Sequence, residues 1–347
     1  MIKDGIININ KPEGMTSHDV IYKLRKIIGV KKMGHTGTLD PMATGVLPIC
    51  LGKATRVAEY MDMDFKKYRC TMVLGMVTDT QDVTGEVLET FSTESVTEEA
   101  VRDAFSGFHG IIDQKPPMYS AVRINGRRLY DYARAGEEVD VKTRQIYIRG
   151  LDIENIDLGA ADGAKRITFT VECSKGTYIR TICQDVGQAL GCGATMEKLD
   201  RIASGSFTIE NSYTLDELRA VAEEAGLDPD RRFGEELPEV FEKYVVDVDF
   251  PLIHFGTVLL TPELGGKFID GWHISYKECI VEEEPEYRYK EPEFRIRPEY
   301  KRAYRMYAED PQAPEGRTFL GVAFHSDKYR KLVADKVFAR SEKNGSI

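Results

Sequence analysis

The chain has 347 residues, 42% hydrophobic and 30% charged, a composition that suits a globular protein large enough for two domains. No apolar run reaches the ~18 residues of a membrane helix, and the opening MIKDGIININ holds no signal core. A net charge of −10 argues against a uniformly basic nucleic-acid binder, yet residues 1–60 carry nine Lys and Arg against five Asp and Glu, whereas residues 211–250 carry four against twelve.

Six scattered cysteines (Cys50, Cys70, Cys173, Cys183, Cys192, Cys279) form no C-x-x-C pair. They read as reduced thiols of a cytoplasmic protein, and no zinc or other metal site is expected.

In chain order, GIININ (5–10) alternates apolar and polar residues and predicts a strand ending at the turn KPEG. Thr16 and Asp19 have capping-box spacing. Val20, Ile21, Leu24, Ile27 and Ile28 then fall on one helical face, which Gly29 closes. Residues 31–52, with four glycines and two prolines, read as a loop-rich site segment. Alternation from Tyr68 through Cys70, Met72, Leu74 and Met76 predicts a strand, with a turn at DVTG. A helix starting at Thr97 would bury Val101, Phe105 and Phe108.

Residues 115–145 interleave Arg123, Arg127, Arg128, Arg134, Lys142 and Arg144 with Tyr119, Tyr130 and Tyr132. That pattern suits a surface that grips looped or single-stranded RNA, though a solvated hairpin has the same composition. RITFTVEC (166–173) alternates as a strand, and SKGT leads into a helix with Thr177 as N-cap, Gly191 as stop and Arg180 in its first turn. The acidic stretch 211–245 reads as a helical connector. Beyond it, VVDVDF, TVLLT, FRIRP and TFLGVAFH predict a small β-rich domain, with an exposed, strongly charged insertion around 282–305.

The chemistry concentrates in GHTGTLDPMATGVLPICLGKATR (34–56). Gly34, Gly37 and Gly45 permit tight turns or close approach of a ligand, and Pro41 restrains Asp40 to an extended conformation. His35, Thr36 and Thr38 add hydrogen-bonding groups, and Lys53 and Arg56 are placed to meet phosphates. By themselves these residues support a polar, glycine-rich ligand site and nothing narrower.

The segment closely resembles the catalytic segment of TruB-type tRNA pseudouridine synthases, whose catalytic aspartate matches Asp40. Four further segments match in order: NKPEGMTS (10–17), KKYRCTMVLGMVTDTQDVTG (66–85), KPPMYSAVRINGRRLYDYARAG (115–136) and CSKGTYIRTICQDVG (173–187). The resemblance covers about residues 5–210 and is faint at 318–338, which is similar to the last strands of a PUA-like module.

The resemblance implies an α/β (α+β) catalytic domain over residues 1–245, built on a mixed, largely antiparallel sheet and carrying an RNA-binding insertion at 115–145. A small β-rich, PUA-like domain would occupy 246–347. The implied reaction is isomerisation of uridine-55 in the T-arm stem-loop of tRNA, through base flipping and Asp40-dependent cleavage and re-formation of the glycosidic bond. It needs no cofactor, no membrane and no obligate protein partner. Asp40, Tyr68 and Arg180 would be the catalytic set, with Arg180 pairing Asp40 and Tyr68 stacking on the extruded base. His35, Tyr178, Leu199, Lys11, Arg127 and Arg128 would complete the substrate-binding set, Lys11 with Pro12 chiefly as support. Taken singly, Tyr68 reads as a buried strand aromatic and Arg180 as a surface helix residue. Membership of one ordered set of motifs turns both into site residues. Two alternatives stay open: a synthase acting on another RNA, and an RNA-binding or tRNA-folding protein on the same scaffold.

Overall fold

The structure is a computed structural model that describes residues 4–61, 65–161, 163–228, 231–234, 236–288, 296–313 and 315–339. It begins with strand β1 (Gly5–Lys11) and helix α1 (Ser17–Ile28). The predicted capping box closes α1: Thr16 Oγ1 accepts from the Asp19 N–H at 3.1 Å, and Asp19 accepts from the Thr16 N–H at 2.9 Å. Gly29 ends the helix in the left-handed region at φ 77°.

Next come β2 (Met33–His35), β3 (Thr44–Leu51) and β4 (Lys66–Leu74), then a small hairpin of β5 (Met76–Thr78) and β6 (Val87–Thr90). Helix α2 (Glu98–Phe105), strand β7 (Gly110–Gln114), hairpin β8 (Arg123–Ile124) and β9 (Arg127–Arg128), and helix α3 (Leu129–Arg134) follow. The first half of the fold closes with β10 (Arg144–Asp157), β11 (Arg166–Cys173), α4 (Ile179–Ala189), β12 (Ala194–Ser204), β13 (Phe207–Thr208) and α5 (Leu215–Glu224).

These strands build one large sheet in the order β1-β3-β12-β4-β11-β10-β7, with β2 on β3 and β13 on β12. Every pairing is antiparallel except the short parallel contact of β12 with β3, so the sheet is mixed and largely antiparallel. Its main core joins Ile7 and Ile9 of β1, Cys70 and Met72 of β4 and Phe169 of β11 to Leu24 of α1, Val101 of α2, Ile182 and Val186 of α4 and Leu218 of α5.

A second sheet, ordered β15-β19-β18-β17-β14-β16, is formed by β14 (Gly256–Leu260), β15 (Ile274–Ser275), β16 (Ile280–Glu283), β17 (Ala303–Glu309), β18 (Arg317–Ser326) and β19 (Lys331–Val337). Helix α6 (Pro262–Ile269) packs against it. None of the helices described is long and apolar enough to cross a membrane.

Several expectations are corrected here. Residues 44–51 are not loop but a buried strand inside the large sheet. The Pro48 carbonyl accepts from the Thr36 N–H at 3.0 Å, on the side away from β1, so its missing donor falls between the rungs to β2 and β12 and costs none to β1. Helix α4 is capped at Tyr178, one residue after the expected Thr177.

The acidic stretch is no free connector. Leu215, Leu218 and Ala222 of α5 are buried in the main core, Tyr213 bridges to Ile9, and Val246 exchanges two 2.9 Å backbone bonds with Ile6. That single bridge stands where VVDVDF predicted a strand. FRIRP lies partly outside the described residues, and Pro298 opens a 3-10 turn. The charged segment around 282–305 is no exposed insertion either, although residues 289–295 lie outside those described: Tyr287 and Tyr300 are buried, and β17 runs through the middle of the second sheet.

Candidate active site

The site forms where the loop between β2 and β3 crosses β4, β12 and the start of α4. Asp40 sits on that loop, and its neighbours on both sides are fastened to the N-terminal segment. The buried Ser17 hydroxyl donates to the Leu39 carbonyl at 3.2 Å and accepts from the Leu39 N–H at 3.0 Å. The Pro41 carbonyl accepts from Lys11 Nζ at 3.1 Å and from the Gly14 N–H at 2.8 Å. NKPEGMTS is therefore the cradle of the loop that presents Asp40.

Asp40 keeps 43% of its side chain exposed, while Arg180 keeps 6%. Arg180 places a guanidinium nitrogen 3.0 Å from Asp40 Oδ2. Its two terminal nitrogens also donate to the Thr80 carbonyl at 2.7 Å and the Tyr119 carbonyl at 3.0 Å, and the buried Asp82 lies at 3.6 Å. A cation held by so many acceptors cannot swing away, so one edge of it is permanently offered to Asp40. Asp82 is itself fixed by Thr80 Oγ1 at 2.9 Å and by the Thr84 N–H at 3.0 Å. Gln114 adds a further tie: its buried amide bonds both the N–H of Tyr178 (2.8 Å) and its carbonyl (3.0 Å), which holds the N-terminus of α4.

Tyr68 lies on β4, opposite Arg201 in register and with Leu199 and Cys70 one pair along on the same face. Burial raises the Tyr68 phenol; the nearby Arg201 guanidinium opposes this, and Asp40 adds to it. The phenol is protonated at neutral pH. His35 is pushed below its ordinary value by burial, by His18 and by Arg201, so it is neutral there. Two polar atoms where β2 meets the loop, His35 Nδ1 and Thr36 Oγ1, are enclosed without a partner among the described residues.

The structure thus brings Asp40, Tyr68, Arg180, His35, Tyr178 and Leu199 to one region, encloses Lys11, and carries Arg127 and Arg128 on a hairpin of the insertion. Lys11 is fully enclosed, and both its bonds go to main-chain carbonyls, Pro12 at 2.9 Å being the second. It belongs to the framework of the loop rather than to a substrate surface. Arg127 and Arg128 lie on the β8–β9 hairpin, whose two turn residues Asn125 and Gly126 take φ of 52° and 82°. Arg127 is engaged within the insertion, with Glu137 at 2.8 Å and the Asp131 carbonyl at 2.7 Å, whereas Arg128 is exposed beside Tyr130. Lys53 and Arg56, expected to meet phosphates, are instead bonded to the second sheet. They donate to the carbonyls of Phe338 (2.7 Å) and Val337 (2.9 Å) at the end of β19.

Burial lowers the Lys11 amine from 10.5 to about 8, with Asp40 and Glu13 opposing the fall. Between those values the unfolded chain binds the extra proton, so this group makes stability rise with pH across that window. The wild type is therefore expected to gain stability relative to Lys11→Met as pH is raised from about 8 to about 10. Urea unfolding at both pH values measures the difference, and a constant gap would mean that the amine titrates normally.

Arg201, Asp82 and Gln114 were not among the sequence candidates. Arg201 had a signal, since alternation puts it on the same strand face as Leu199. Asp82 had only the turn in which it sits, and Gln114 had none.

Known proteins extend this picture. The family profile described as "TruB family pseudouridylate synthase (N terminal domain)" matches residues 25–179, and "tRNA pseudouridylate synthase B C-terminal domain" matches residues 180–246. A protein of Clostridioides difficile named tRNA pseudouridine synthase B is 44% identical over 277 residues, covering 79% of this chain and 85% of the relative. One of the same name from Clostridium kluyveri is 39% identical over 330 residues, covering 95% and 98%. Among solved structures, a Cbf5–Nop10–Gar1 complex shares the fold at TM-score 0.67 and 24% identity, covering 98% of this chain and 87% of that one.

Proposed function

The chain belongs to the TruB family of pseudouridylate synthases, and on that premise we propose that it converts uridine-55 in the T-arm stem-loop of tRNA to pseudouridine. The observation that carries the reading is the Asp40–Arg180 pair: a reachable carboxylate 3.0 Å from an enclosed guanidinium whose terminal nitrogens are also held by two backbone carbonyls.

The reaction breaks the bond from N1 of uracil to C1′ of the ribose, turns the base, and joins C5 to C1′. The C5 proton is lost and N1 gains one, so there is no net redox change. Asp40 acts at the sugar while the glycosidic bond is open, by covalent attack or by proton removal. Arg180 supplies its counter-charge and fixes its direction. Tyr68 offers a ring face to the extruded base and a protonated hydroxyl to the sugar.

Incubation with an unmodified tRNA transcript, followed by carbodiimide-blocked primer extension, tests the proposal. A stop at the uridine preceding the T-loop cytidine is expected. Bound but unmodified tRNA would point instead to a binding or folding protein on this scaffold.

We take residues 1–245 as the catalytic unit, with 115–145 as its RNA-contacting insertion, and 246–347 as a second unit. Arg128, on the exposed hairpin, is the stronger phosphate contact, because Arg127 already serves Glu137. Arg128→Ala should therefore reduce the slope of log affinity against log salt by about one counterion, and Arg127→Ala by less. Filter binding across a salt series reads both; equal slopes in wild type and Arg128→Ala would place this residue away from RNA.

A further inference from the structure

Arg201 is 1% exposed and among the largest fully buried side chains of the protein. Among the described residues no carboxylate pairs with it. Its Nε donates to the Val46 carbonyl at 2.6 Å, and a terminal nitrogen donates to the Gly37 carbonyl at 3.1 Å. Those two carbonyls flank the loop that carries Asp40, one on each side. The same side chain stands directly opposite Tyr68 across β12 and β4. Two glycines make room for it. A Cβ on Gly37 (φ 74°) would stand 3.1 Å from the guanidinium, and one on Gly45 (φ 98°) would stand 2.3 Å from the Arg201 carbonyl oxygen.

A buried guanidinium with no counter-ion costs several kcal/mol to desolvate, and replacing it with an apolar side chain of similar volume often stabilises a protein. A purely structural arginine would be a poor choice here. We propose that Arg201 is a positioning residue for the reaction: it clamps both flanks of the Asp40 loop to the strand position directly opposite Tyr68, setting the spacing between carboxylate and phenol. It does not touch substrate. Arg180 holds the carboxylate itself, while Arg201 holds the backbone that carries it. The proposal rests on the assignment of Asp40 and Tyr68 to the reaction.

The test uses the full chain labelled with 3-fluorotyrosine, the Tyr68 resonance being assigned by its loss in Tyr68→Phe. Arg201→Met should move the Tyr68 titration to higher pH, because the opposing charge is gone. It should also lower the single-turnover rate at saturating tRNA by at least about thirtyfold and leave tRNA affinity within about threefold, a loss in the chemical step rather than in binding. Arg201→Lys keeps the charge but cannot reach both carbonyls with the planar fork. Its titration should stay near that of the wild type, and its rate should be partly restored. A rate lost with an unmoved Tyr68 titration would overturn the proposal, as would an Arg201→Met enzyme that turns over normally. Failure of both variants to fold would assign Arg201 to the core alone. The titration needs no turnover, so it stays readable even if Asp40→Asn proves active and the reading of the site fails.

Discussion

Asp40→Asn is expected to lower the single-turnover rate of pseudouridine formation by at least about a thousandfold, some 4 kcal/mol of transition-state stabilisation, with tRNA affinity changed by less than about threefold. Asparagine keeps the shape of the side chain, and the loop is held by Ser17, Lys11, Gly14 and Arg201 through backbone atoms that the substitution leaves in place. Arg180 retains its bonds to the Thr80 and Tyr119 carbonyls and its neighbour Asp82. Only the charge and nucleophilicity of one carboxylate are removed, so the variant separates chemistry from architecture. Arg180→Met is a blunter probe. It strands Asp82 in an enclosed position as well as releasing Asp40, so loss of activity there would be mixed with a loss of stability of roughly 3–5 kcal/mol. Near-normal turnover in a well-folded Asp40→Asn protein, read by quench-flow with tritiated uridine tRNA, would end the proposed mechanism.

Deleting residues 251–347 should leave a chain that does not fold cooperatively. The second sheet is not merely tethered to the first. Ile6, Val46, Cys50, Val57, Tyr60 and Met61 share a core with Leu252, Phe255, Tyr300, Val322 and Phe338. Lys53 and Arg56 are bonded to the end of β19, and Tyr300 donates to the Glu59 carbonyl at 3.3 Å. Removing one side of that core exposes several large side chains at ~1.5–3 kcal/mol each, more than the whole stability of many domains. The expected outcome is insoluble or molten protein, read by solubility and by loss of a sharp thermal transition. A soluble truncation with the melting temperature of the full chain would show that the shared core contributes little. Tyr300→Ala in the full chain gives a graded version, expected to cost about 3–5 kcal/mol.

Much of the first half could be read from the sequence because its signals are local. The capping box of Thr16 and Asp19, the alternation around Tyr68 and the turn glycines each act within a few residues. The strand at Thr44–Leu51 stayed hidden because burial on both faces replaces alternation with a continuous apolar run, and Pro48 argues against a strand unless its rung is known to be vacant. The misplacement of Lys53 and Arg56 has a different origin. A cation beside a ligand motif invites a phosphate, but its acceptors here are carbonyls about 280 residues away in sequence. Asp82 was illegible for the same reason, its partner lying on a helix nearly a hundred residues later.

The strand order has one more consequence, for synthesis. β12 lies between β3 and β4, although it is made more than a hundred residues after either. As the chain leaves the ribosome, β1, β3 and β4 are ready long before the strand that must separate them, and two strand edges face an empty slot. Pairing β3 directly with β4 would be the nearest wrong solution, and open edges of this kind recruit chaperones or other chains. Leu199 and Arg201 arrive on that strand, so the catalytic pocket is among the last parts to take shape. Nascent chains stalled before residue 190 should therefore be degraded by protease throughout, whereas protection should appear abruptly once β12 has emerged.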